Sequence, residues 1–181
     1  MKISPQDKRG FARRVAYCAA MLCVALAFSY LEAILPISLL IPLPGVKLGL
    51  ANIAVMLAFF CLSPADAAII SFTRIFLSAL LFGSPVSFVF SLFGAALAYA
   101  TLFLSKPLLR HEKMSFVGAS VLSSAAHSFG QIGAAMLLYG FGAFFYLPVI
   151  LLASGALGAL VGFLLNILYP KTEKILNAKN S

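Results

Sequence analysis

Three features of this sequence could do chemistry: an arginine inside an apolar run, a histidine four residues before a glutamine, and a lysine in a Pro/Gly bend. Arg74 follows Ser71 by three residues and precedes Ser78 by four, so the three share one helical face. Ser120, Ser124, His127 and Gln131 recur at spacings of four, three and four, which makes a polar stripe about three turns long. Lys47 stands alone in Leu43-Pro44-Gly45-Val46-Lys47-Leu48-Gly49-Leu50-Ala51-Asn52-Ile53, where the bend runs straight into an apolar segment. Glu32 is an isolated acid near the end of another apolar run. Lys47 and Arg74 suit an anionic or carbonyl-bearing ligand. Asn52, His127 and Gln131 would supply directional hydrogen bonds, and Glu32 would pair with a base or latch the loop.

The elements that must position these residues are set by composition. The chain is 62% hydrophobic and 10% charged, whereas a soluble domain carries roughly 25% charged residues. It therefore reads as an integral membrane protein, and 181 residues leave room for about six helices of ~20 residues with short connections. A net charge of +8 would suit nucleic acid in a soluble protein, but the placement of the charges makes it a signal of orientation instead. Cys18, Cys23 and Cys61 have no paired or ligand-like spacing and read as core residues. The basic stretch Lys8 to Arg14 precedes an apolar run longer than the core of a signal peptide, so that run reads as a first span.

The expected fold is all-α, a polytopic bundle of six transmembrane helices. Its spans run from about Val15 to Leu35, Leu48 to Leu62, Pro64 to Phe82, Val86 to Leu104, Phe116 to Tyr139 and Phe144 to Tyr169. Residues 1–14 form a basic N-terminal segment, 15–169 the substrate-binding membrane domain and 170–181 a C-terminal tail. The loop after the first span, with Pro36, Pro42 and Pro44, carries enough apolar residues to pack onto or dip into the bundle. Ser63 is expected to cap the third helix with Pro64 at its first position, Ser105 to Ser115 to form a polar loop, and Pro170 to end the last helix.

Six spans place both termini on one side. Lys2, Lys8, Arg9, Arg13, Arg14, Lys106, Arg110, Lys113, Lys171, Lys174 and Lys179 fall on that side, eleven of the thirteen Lys and Arg residues. Lys47 falls opposite and Arg74 is intramembrane. The positive-inside rule then puts both termini in the cytoplasm and Lys47 outside. Arg74 and His127 come near mid-depth, with Ser78, Gln131, Asn52 and Glu32 further out, so the polar groups would line a cavity under the first loop.

Plainer roles stand beside these. Arg74 would equally serve as an ion-pair partner of Glu32 or a donor to backbone carbonyls, His127 as a core imidazole, Lys47 as a snorkelling headgroup contact and Asn52 as a helix bridge. Asp66 reads as a helix N-terminal charge. Ala12, Ala16 and Ala20 form a smooth strip for close helix approach, in this chain or to a partner. The five acidic residues are isolated, so the paired aspartates of magnesium-diphosphate sites are missing. No P-loop and no Cys/His cluster is present, so no catalytic residue, metal or cofactor is assigned.

Four stretches together carry a family resemblance. Leu43-Pro44-Gly45-Val46-Lys47-Leu48-Gly49-Leu50-Ala51-Asn52, Arg74-Ile75-Phe76-Leu77-Ser78-Ala79-Leu80-Leu81-Phe82-Gly83, Ser91-Leu92-Phe93-Gly94-Ala95 and Ala126-His127-Ser128-Phe129-Gly130-Gln131 resemble, in order, the motifs of the Gx transporter family. That family is also catalogued as heptaprenyl diphosphate synthase component I. Ala95 replaces the second glycine of a usual pair and Ser128 a usual asparagine; neither is a candidate site residue.

The resemblance implies a fold like the S components of energy-coupling factor (ECF) transporters. Such proteins hold a small molecule toward the outer face beneath a first-loop lid. The alanine strip of the first helix docks on a membrane coupling subunit driven by two ATPase subunits. The resemblance thus implies a non-enzymatic, multi-pass importer subunit of the bacterial cytoplasmic membrane for a vitamin or cofactor precursor, with flavin, quinone or prenyl-related compounds as ligand classes. The alternatives are an accessory to isoprenoid or quinone synthesis and a structural subunit of a flavin/quinone redox system.

Overall fold

The computed structural model describes residues 5–34, 47 and 49–178, and the side chains of all of these except 5–9 and 173–178. The prolines of the first loop and Leu43 to Val46 lie outside the described residues. Six α-helices occur in order: α1 Pro5–Ile34, α2 Asn52–Cys61, α3 Pro64–Leu81, α4 Pro85–Arg110, α5 Phe116–Tyr139 and α6 Leu147–Ala178, with a 3₁₀ segment Phe141–Tyr146 before α6. All but α2 are long and apolar enough to cross a membrane. The chain is a multi-pass helical membrane bundle.

Local chemistry sets the helix starts. Ser63, Ser84 and Ser115 have extended backbones, and their hydroxyls accept the N–H groups of Asp66, Ser87 and Gly118 at 3.1, 3.2 and 3.0 Å. Pro64 and Pro85 occupy first helical positions, where a missing N–H costs nothing. Beside Ser63 the Arg14 guanidinium grips the Asp66 carboxylate at 2.9 Å, tying α1 to the start of α3. Arg14 also donates to Ser63 Oγ at 3.2 Å.

The helices form a ring in the order α1, α3, α4, α5 and α6, closed by α2, which packs against α1, α3 and α6. The tightest seams flank α5. A Cβ on Gly130 would run into the Phe93 carbonyl and lie 2.8 Å from Gly94 Cα; one on Gly158 would lie 2.9 Å from Val121 Cα. Without a hydrophobic drive between helices in lipid, such small-residue contacts let dispersion hold the bundle together.

Three expected boundaries are corrected. The second span begins at Asn52 instead of Leu48 and holds 10 residues, a rise of ~15 Å against ~30 Å of hydrocarbon. Its residues from Asn52 to Phe59 are all buried, as suits a helix apolar on every side. Helix α4 continues through the expected polar loop to Arg110, with Ser105 Oγ donating to the Thr101 carbonyl at 2.7 Å. Pro170 lies within α6 rather than ending it. The proline removes one N–H from the helix ladder, a single lost bond that the helix carries through.

Substituting alanine at Gly130 forces α4 and α5 apart and should lower stability by about 1–3 kcal/mol. Gly133, which has open space around its Cβ position, should accept alanine without loss. Thermal unfolding of the detergent-solubilised variants compares the two directly.

Candidate functional site

The site is built where the non-helical entry to α2 meets α1, α3 and α5. Gly49 adopts φ +92°, a left-handed conformation that favours glycine and keeps the chain from entering a helix before Asn52. The turn closes through Asn52 N–H to Gly49 O at 3.0 Å and Ile53 N–H to Leu50 O at 3.1 Å. Ala51 offers no side-chain cap. Glu32 of α1 supplies one from a distance, its Oε1 accepting the Leu50 N–H at 2.6 Å, where a carboxylate also complements the helix dipole.

Gln131 of α5 holds the other end of this segment. Its Oε1 accepts the Lys47 N–H at 3.1 Å and its Nε2 donates to the Lys47 carbonyl at 2.9 Å, a two-sided clamp on one peptide residue. The same Nε2 lies 2.6 Å from His127 Nε2. An amide nitrogen can only donate, so His127 Nε2 accepts and its proton belongs on Nδ1. That Nδ1 is buried against the Gly94 backbone of α4. The ring fits because residue 94 is glycine: a Cβ there would lie 2.7 Å from His127 Cε1 and 2.8 Å from Nδ1.

Arg74 reaches the same layer from the middle of α3. It is 3% exposed, and its Nη1 donates to Ser29 Oγ of α1 at 3.4 Å. Its Nε and Nη2 have no partner, nor does Oε2 of Glu32. Glu32 and Arg74 therefore form no salt bridge, and the ion pair that their types would allow is not made. A buried guanidinium with two free donor positions carries a large desolvation cost, which a ligand oxygen would offset. The Lys47 ammonium, in the loop, is half-buried; burial lowers its pKa below the usual lysine range, the Arg74 charge lowers it further and Glu32 opposes both. An anion placed between these two cations would relieve both.

The remaining candidates differ. Asn52 is buried beside Gly49, whose Cβ position lies 3.3 Å from Asn52 Nδ2 and 3.7 Å from His127 Cδ2. Ser78 faces the interior, but its hydroxyl donates to Ile75 O at 3.1 Å and is satisfied within its own helix. Ala12, Ala16 and Ala20 lie away from this layer on an exposed face of α1. Sequence reasoning missed Ser29 as the Arg74 partner and Gly94 as the His127 cradle. Ser29 precedes Glu32 by three residues, and that helical spacing was the available signal.

A family model described as heptaprenyl diphosphate synthase component I matches residues 21–168. The chain belongs to that family. The match takes in all seven ligand-site candidates, from Glu32 to Gln131. No curated protein and no solved structure matches this chain.

Replacing Gln131 with Ala deletes both bonds to Lys47. At about 1 kcal/mol per bond, amide exchange of the Lys47–Ala51 segment should speed up roughly thirtyfold. Gln131→Glu keeps the acceptor but sets a carboxylate against the Lys47 carbonyl, so it should also loosen the segment. Hydrogen exchange read by mass spectrometry reports both.

Proposed function

We propose that this family member is the substrate-binding subunit of an importer in the bacterial cytoplasmic membrane, akin to ECF S components, and that Arg74 is its principal ligand contact. The observation that carries this reading is the buried Arg74 guanidinium near the middle of α3 with Nε and Nη2 unpartnered. An intramembrane charge with no carboxylate in salt-bridge contact is a functional-site candidate by default, because lipid cannot solvate it. Glu32 Oε2 adds a free acceptor, and His127 supports the layer through its bond to Gln131. The set suits a small molecule with an anionic or carbonyl group and a further polar edge, as a vitamin or cofactor precursor has; flavin, quinone and prenyl-related compounds fall within that description.

The entry segment at Lys47 to Ala51 would form the inner edge of a lid, latched by Glu32 and Gln131. Release of those latches would open the site toward the face opposite the chain termini. The exposed strip of Ala12, Ala16 and Ala20 supports docking on a membrane coupling subunit, with two ATPase subunits supplying the energy. The family description favours a second reading, a membrane accessory to a prenyl-diphosphate synthase. In that case the catalytic carboxylates come from a partner, since the acidic residues here are isolated in sequence.

Small molecules released from the gently purified protein, identified by mass spectrometry, supply the ligand for the test. Arg74→Ala and His127→Ala should then weaken its binding by about thirtyfold or more, as removal of a buried charged or hydrogen-bonded partner costs about 2–5 kcal/mol. Ser78→Ala should change it less than about threefold, a satisfied hydroxyl contributing little to a ligand. Wild-type binding by folded Arg74 and His127 variants would sink the ligand-site assignment. Prenyl-transfer activity on adding a soluble partner, without ATP-dependent accumulation in vesicles, would favour the accessory role.

A further inference from the structure

At the end of the bundle that holds both termini, a cavity of about 460 Å³ opens between α2, α3, α4, α5 and α6. It is separate from the Arg74 site. Its inner wall is aromatic: Phe60 packs edge-on against Phe116 at 5.1 Å and Tyr169 at 6.5 Å between ring centroids, and Phe116 meets Tyr169 at 5.1 Å. Phe59 continues the wall. Its mouth is basic, because α4 runs on to Arg110 and thereby sets Lys106 and Arg110 one turn apart on one helix face, both lining the cavity.

Lys106 Nζ sits 5.6 Å above the centre of the Phe59 ring, which holds its ammonium over the apolar wall. Neither cation is neutralised from within: among the described residues Asp66 is committed to Arg14, and Lys106, Arg110 and Glu112 form no salt bridge. The volume lies in the range of small-molecule sites. Basic pockets between membrane helices at the cytoplasmic level suit anionic lipid head groups.

We propose that this cavity binds an amphiphile with a phosphate or diphosphate head, whose oxygens meet Lys106 and Arg110 while its chain lies on the aromatic wall. A guanidinium offers paired donors to phosphate oxygens and an ammonium a point charge beside them, so the head is read by charge and geometry together. Two sources carry this chemistry, an anionic phospholipid of the adjacent leaflet and an isoprenoid phosphate.

Native mass spectrometry of the full chain in detergent, titrated with phosphatidylglycerol, phosphatidylcholine, farnesyl diphosphate and farnesol, tests the assignment. The phosphatidylglycerol and farnesyl diphosphate probes should bind at least about tenfold more tightly than their zwitterionic and neutral counterparts. The tighter of the two names the source. The double variant K106Q/R110Q should lose at least about tenfold for both anionic probes and leave farnesol unchanged. Lys113→Gln, just beyond the end of α4 and outside the cavity, serves as the folded control and should bind as wild type does. Equal binding of phosphatidylglycerol and phosphatidylcholine, or an equal loss in the Lys113 variant, would overturn the proposal. R110Q alone provides the same readout should the double variant unfold.

Discussion

In a bilayer the protein must supply what water would otherwise give to every backbone N–H, carbonyl and charge. Helices meet that demand along their length, but the entry to α2 does not, and there the bundle provides partners from elsewhere in the sequence. Glu32 takes the Leu50 N–H and Gln131 takes both backbone groups of Lys47. These bonds seat an irregular segment above a half-length helix and bring its one lysine to the layer where Arg74 and His127 lie. Without them α2 would need a longer helix, and the polar layer would have no roof.

The glycine seams make that layer possible. Close approach of α4 to α5 at Gly94 and Gly130 leaves room for the His127 ring and little else. His127 therefore presents Nε2 to Gln131 and sets Nδ1 against Gly94. Arg74, whose carboxylate neighbour Glu32 is engaged with the Leu50 amide, keeps two donor positions open. One carboxylate decides this: had Glu32 turned to Arg74, those donor positions would be filled.

Charge is also partitioned along the membrane normal. Arg14 and Asp66 neutralise each other at the end that carries the termini, while Lys106 and Arg110 on α4 stay uncompensated beside an aromatic wall. Cations at that end face head groups and phosphate, where their hydration and charge are easily met. Arg74, near mid-span, is buried and Lys47, in the opposite loop, is half-buried, both among polar groups instead.

The helices were legible in the sequence because they arise from local chemistry. Apolar run length, the Ser-Pro start at Ser63, and the polar spacing of His127 and Gln131 act within one or two turns, so α3 and α5 matched their expected bounds closely. The polar residues themselves were equally legible, since a charge in an apolar run is conspicuous wherever it packs. Only the tertiary structure decided who meets whom. That Glu32 serves the Leu50 amide rather than Arg74, that α2 is half-length, and that α4 continues far enough to align Lys106 with Arg110 all depend on contacts between distant segments. Backbone groups in lipid take whichever partner the bundle brings near, and a linear sequence carries no record of that proximity.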